Sequence, residues 1–235
     1  MESKKYIDDL SEIKSLMNQS SRFMSLSGLS GILAGVYALV GFFFAYRLLA
    51  FQVLPGIVIS DYVLPGIDPD KLGPDSAPNG ILGLLSAFSG GYLTGITLDL
   101  AVVGITTLFF AILTGILLTW RKAKRKNEKI WNSASKRLIA NFAIPLIAGG
   151  IFCIVLIQYG IVGLVGPCTL IFYGLALISA SKYTIGDIKY LGFANVIIGL
   201  ISTQFIGYGL FFWALGFGVF HIIYGARMYF KYDRA

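Results

Sequence analysis

"RKAKRKNEKIWNSASKR", residues 121–137, holds eight Lys or Arg and one acid, Glu128. Apolar runs flank it on both sides, at 98–120 and 138–159. A membrane hydrocarbon core is ~30 Å thick and a helix rises ~1.5 Å per residue, so a crossing takes about 20 apolar residues. Both runs reach that length. The basic stretch therefore reads as the connection between two membrane spans, and its charge sets their orientation. Each Lys or Arg near an anionic leaflet gains ~1 kcal/mol, so the connection is expected to lie on the headgroups, anchored by Trp120 and Trp131. Nucleic-acid binding is not expected, because a short connection offers neither a folded basic surface nor a groove-reading helix.

Outward from that stretch, three more segments have spanning length: 26–50, 163–181 and 209–230. A sixth, 191–207, is shorter and contains Asn195 and Gln204. It is included because Gly207-Tyr208-Gly209 makes a turn between two apolar runs, as Gly160 to Gly163 does between the third and fourth spans. The expected fold class is all-α: a polytopic membrane bundle of six transmembrane helices preceded by an amphipathic cytoplasmic helix at 1–25. Composition agrees. Of 235 residues 56% are hydrophobic and 13% charged, with a mean hydropathy of +0.76. Soluble domains are ~45–50% apolar and ~25% charged.

With six spans and the N-terminus inside, the inner segments are 1–25, 121–137, 182–190 and the tail from Lys231. Counting Arg227, they carry 17 of the 19 Lys and Arg. Only Arg47 and Lys71 fall outside, which satisfies the positive-inside rule. The stretch "GILGLLSAFSGGYLTGIT" (80–97) is apolar enough to be a seventh span. That span would put the chain ends on opposite sides and force a basic segment outward. It is read instead as interfacial, re-entrant or an outer extension of the second helix. The expected location is the bacterial inner membrane, with both termini cytoplasmic. No removable signal peptide is expected.

The outer loop spans 51–97. Its first part, 51–79, carries five of the seven prolines and four acids, but "DPDKLGPD" lacks the alternating ligands of a calcium loop. No metal or cofactor is expected. The N-terminal segment "MESKKYIDDLSEIKSLMNQSSRFM" spaces Tyr6, Leu10, Ile13, Met17, Ser20 and Met24 at heptad-like steps. Its charges balance, whereas a membrane-surface helix is rich in cations. It is expected to pack on the chain's own cytoplasmic loops, on a cytoplasmic protein partner or on a second copy.

Ionisable groups are costly in a bilayer, so each is a candidate site. Arg47 ends the first span and Asp99 starts the second, and a pairing across the two helices is expected. Asp99 is also the best candidate for proton or cation coupling. His221, the only histidine, lies near the middle of the last span on a face with Ala214, Gly218 and Gly225. Small residues let a second helix approach closely. The face is read as a helix seam, with His221 either hydrogen-bonded in its neutral form or acting as a proton relay. Asn195, Gly199 and Ser202 line one face of the fifth span, from which Asn195 or Ser202 can bond His221 or Tyr224. Pro145 is expected to kink the third span. Cys153 and Cys168 flank the 160–163 turn and are expected to be buried, neighbouring free thiols.

No catalytic motif stands out: there is no H-E-x-x-H, G-x-S-x-G or Walker A loop. The stretch "NVIIGLISTQFIGYGLFFWALGFGVFHIIYG" resembles the hairpins of acid-resistance membrane proteins of the HdeD type. More of the chain resembles an uncharacterised family of six-span inner-membrane proteins of Bacteroidetes-type bacteria. That likeness is carried by "SRFMSLSGLSGILAGVYAL" (21–39), "KIWNSASKRLIANFAIPLIAGGIFC" (129–153), "GPCTLIFYGLALISASKYTIGDIKYLG" (166–192) and "GYGLFFWALGFGVFHIIYG" (207–225). The resemblance implies the topology and the inner membrane, and it transfers no activity. The expected role is a non-enzymatic scaffold, sensor or regulatory subunit. The alternative is a small transporter or channel using Asp99, Asn195 and His221.

Overall fold

A computed structural model describes residues 27–52, 95–125, 131–159 and 161–233. The expected N-terminal helix and nearly all of the outer loop lie outside them. Within them the chain is helical and contains no strand. The helices are α1 (Gly28–Gln52), α2 (Gly95–Arg125), α3 (Ser133–Gln158), α4 (Val165–Ala180), α5 (Ile188–Ser202) and α6, which runs from Gly209 to Asp233 with its last stretch, Tyr229–Asp233, π-helical. Short 3-10 turns, Val162–Leu164 and Ser181–Tyr183, bracket α4. Five of these segments are long and apolar enough to cross a membrane, while α5 is shorter.

Local chemistry sets the boundaries. α2 continues through Arg125, so the first part of the basic run is helix rather than loop. Its apolar register simply carries on into Lys122, Lys124 and Arg125, where cations suit a helix C-terminus. α3 starts with a capping box: Asn132 Oδ1 accepts from the Ser135 amide at 2.8 Å, and Ser135 Oγ accepts from the Asn132 amide at 2.9 Å. α3 then runs unbroken past Pro145. α2 begins at Gly95, so the last residues of the 80–97 stretch do extend the second helix. Between α5 and α6 the chain turns at Gly207, whose φ of 105° is open to glycine at little cost.

The helices pack as a row. α2 leans on α1, α1 on α6, α6 on the α4–α5 pair, and α3 on α4. Two seams bring backbones together. In the first, a Cβ on Gly35 of α1 would lie 2.6 Å from the Gly218 carbonyl oxygen of α6, and one on Gly225 would lie 2.8 Å from the Gly28 carbonyl oxygen. In the second, a Cβ on Gly174 of α4 would lie 2.6 Å from the Gly192 carbonyl oxygen of α5, and the reverse distance is 2.8 Å. No side chain fits at those crossings, so small residues are what allow the helices to meet.

The pairings also fix which ends lie together. Tyr37 of α1 meets Thr114 of α2, and Gly41 meets Thr107, so these helices are antiparallel. Gly28 meets Tyr229, and Lys231 meets Asp187. The end of α2, the start of α3, the α4–α5 turn and the end of α6 therefore share one end of the bundle. All the described lysines and arginines except Arg47 sit at that end. Exposed Trp120, Trp131 and Tyr190 ring it, and exposed Tyr46, Tyr159 and Tyr208 ring the other. Large apolar side chains between the rings face outward, as on a lipid-facing surface. Two hydroxyls on the outer helix α2 turn inward to their own backbone: Thr106 Oγ1 donates to Val102 O at 2.7 Å and Thr107 Oγ1 to Val103 O at 2.8 Å. A hydroxyl satisfied in this way needs no water.

Candidate functional site

The candidate site grows from an irregularity in α6. After one α-helical stretch, Gly209–Trp213, the backbone widens into a π-helical segment, Ala214–Val219, and returns to α-helix at Phe220–Met228. Such segments occur often at functional positions. His221 follows directly and is 6% exposed. Its Nδ1 lies 2.9 Å from the carbonyl oxygen of Gly216, inside the widened segment. A carbonyl only accepts, so Nδ1 carries the proton. In the neutral imidazole, Nε2 is then an acceptor, and the Tyr173 hydroxyl donates to it at 2.7 Å. One bond stabilises the widened turn, and the other ties α6 to α4.

Aromatic rings enclose the pair. The Phe217 ring lies 5.0 Å from that of Tyr173 and 5.9 Å from that of His221. Phe142, from α3, meets Tyr173 edge-on at 6.0 Å, and Trp213 meets Phe217 at 5.1 Å. Both ring nitrogens of His221 are thus engaged, inside a cluster drawn from three helices. Ala214, Gly218 and Gly225 are buried like His221; Gly218 and Gly225 lie against α1, while the His221 ring turns to Tyr173 of α4.

Asn195 approaches from α5 and is fully buried. Its Nδ2 donates to Leu191 O at 2.9 Å in its own helix. Its Oδ1 faces Gly216, where an added Cβ would stand 2.7 Å away. The expected bond from Asn195 or Ser202 to His221 or Tyr224 is replaced by the Tyr173 bond. Asn195 Oδ1, Ser202 Oγ and Tyr224 Oη are buried with no hydrogen-bond partner among the described residues. Buried polar atoms are nearly always paired, so these three mark the polar side of the interior.

Arg47 and Asp99 are placed differently. Both are exposed, at the far end of the bundle from the basic ring. Asp99 is kept from His221 because α2 packs chiefly on α1, and Arg47 lies at the opposite end of α1 from Gly31, which meets the His221 backbone. Cys153 and Cys168 are free, and they share one buried cluster with Leu156. Among the described residues no group of three or more His, Cys, Asp or Glu is placed to hold a metal ion.

At the basic end a polar latch closes the bundle. Lys231 Nζ donates to Asp187 Oδ2 at 2.7 Å, and the Tyr232 hydroxyl donates to the same oxygen at 3.2 Å. The Lys231 hydrogen bond holds the Asp187 carboxyl below the usual carboxylate range, against the opposing effect of its partial burial.

Sequence reasoning found His221 and its small-residue face but missed Tyr173, Phe217 and the widened turn. The closely spaced Gly216 and Gly218 were the available signal for a backbone irregularity. Tyr173 stands next to Gly174, the glycine of the α4–α5 seam, and its hydroxyl reaches His221 of α6. No family model, no curated protein and no solved structure matches this chain.

Proposed function

We propose that the chain is a non-enzymatic inner-membrane protein of six spans, acting as a scaffold, sensor or regulatory subunit. Its N- and C-termini are cytoplasmic, and residues 1–25 contact a cytoplasmic protein partner or a second copy. α5 is the fifth span in chain order and the one short of full length, at ~22 Å for its 15 residues, with polar Asn195 and Ser202 turned inward. Basic residues at one end of the bundle support the orientation through the positive-inside rule.

One observation carries the reading. His221, the most chemically capable group inside the bundle, has both nitrogens engaged in fixing α6 to itself and to α4. Its chemistry serves packing. Pull-downs with the full chain and with a chain lacking residues 1–22 test the partner role. The truncated chain should lose specific partners, and identical partner sets would contradict the reading.

The three unpartnered oxygens favour a second reading, a small-solute or ion path along α5 and α6. Asn195 and His221 belong to that path, while exposed Asp99 stands apart from it. In proteoliposomes the second reading requires flux that falls on His221→Ala, and the first requires none.

A further inference from the structure

Two hollows mark the exposed side of α2. The first, about 430 Å³, is lined by Trp120, Arg121, Lys124 and Arg125. It holds three cations and no acid, and Lys124 Nζ sits 5.3 Å from the centre of the Trp120 ring. The second, about 290 Å³, is a crevice between α1 and α2 whose walls include Tyr37, Gly41, Phe44 and Phe110.

Their register is shared. Trp120, Arg121, Lys124 and Arg125 each stand 18 positions after a crevice residue: Val102, Val103, Thr106 and Thr107. At ~3.6 residues per turn that separation is five whole turns, so both hollows open on one face of α2. Half-exposed Leu113 and Leu117 lie between them. Phe110 precedes Trp120 by ten residues, or ~15 Å along the helix. That is the depth of one leaflet in a ~30 Å core. A cationic cup thus caps an apolar track one acyl chain long.

We propose that this face of α2 binds one anionic phospholipid lengthwise. Its phosphate meets Arg121, Lys124 and Arg125, and an acyl chain follows Leu117 and Leu113 as far as the near edge of the crevice, at Tyr37 and Phe110. The proposal rests on the membrane reading above and adds a selected lipid to it. Arginine recognises phosphate through its planar fork of donors, and a tryptophan beside a cation suits the headgroup boundary.

The full chain, purified in neutral detergent, is offered phosphatidylglycerol or phosphatidylcholine of equal acyl length, and retained lipid is read by native mass spectrometry. One phosphatidylglycerol should be retained at least about tenfold more than phosphatidylcholine. The Arg121→Gln/Lys124→Gln/Arg125→Gln variant should lose that preference. Leu113→Trp, which fills the track between the two hollows and keeps all three cations, should also lower retention. Equal retention of the two lipids, wild-type retention by both variants, or displacement by equimolar inorganic phosphate overturns the proposal. Extraction of the chain from membranes by alkaline carbonate would sink the membrane reading as well. A carbonate-resistant chain that does not select the lipid sinks the proposal alone.

Discussion

α2 and α6 are both long apolar helices, yet none of the most apolar stretch of α2 is buried in the protein, against 28% of that of α6. Both carry glycines. In α2, a Cβ on Gly104 or Gly115 would meet nothing within 4 Å. In α6, a Cβ on Gly216 would stand 2.7 Å from Asn195 Oδ1, and Gly218 and Gly225 lie against α1. Hydropathy therefore decides which solvent a helix tolerates, whereas small residues facing small residues decide which helices touch. α2 is a lipid-facing helix held by one neighbour. α6 is a packed helix whose position is fixed by backbone contact and by its histidine.

The sharpest way to break that contrast is to add side chains. Gly216→Leu or Gly225→Leu in α6 should destabilise the bundle by about 3 kcal/mol or more, because the new side chain meets Asn195 Oδ1 at the first position and the backbone of α1 at the second. Gly104→Leu and Gly115→Leu should change stability by less than about 0.5 kcal/mol. Thermal unfolding in detergent compares the four, and equal losses would erase the distinction between the helices.

Truncating the histidine comes next. His221→Ala removes a buried ring and leaves the Gly216 carbonyl without its donor, at a cost of about 2–4 kcal/mol. Tyr173→Phe removes only the hydroxyl donor to Nε2 and should cost about 0.6–1.7 kcal/mol, the range for hydrogen bonds between membrane helices. If the two substitutions are made together, the combined loss should fall short of the sum, since they share one bond. On the α2 side, Thr114→Val removes a longer hydroxyl contact, 3.2 Å to Tyr37, and should cost no more than about 0.5 kcal/mol.

The smallest effect is expected at the latch. Asp187 has a lowered folded pKa. Its contribution is therefore fully present above the unfolded value of ~3.9 and is lost as pH falls through the folded value. Asp187→Asn should be slightly less stable than wild type at pH 7 and equal to it in strong acid. High salt should shrink the difference at neutral pH, because Lys231 and Asp187 are both partly exposed. A difference that persists in strong acid would show that the carboxylate charge is not its source.

The helices, their order and the basic end were legible in the sequence because run length and charge are local properties. The burial of His221 and of its small neighbours was legible for the same reason: steps of four and three pick out one side of a helix. Tyr173 was not, because its meeting with His221 depends on how α4 crosses α6. The widened turn at Ala214–Val219 was equally hidden, since apolar periodicity does not register one extra residue in a turn. The cysteine cluster was legible because one short turn brings Cys153 and Cys168 together.

Cysteine labelling across α5 tests the one-sided, six-span threading most directly. In a chain with Cys153 and Cys168 replaced by Ala, single cysteines are placed at Gln204, in the exposed turn after α5, and at Lys189, at its basic start. A membrane-impermeant maleimide added to intact cells should label Gln204→Cys and spare Lys189→Cys until the cells are opened. Labelling of both positions, or of Lys189→Cys alone, would contradict the threading.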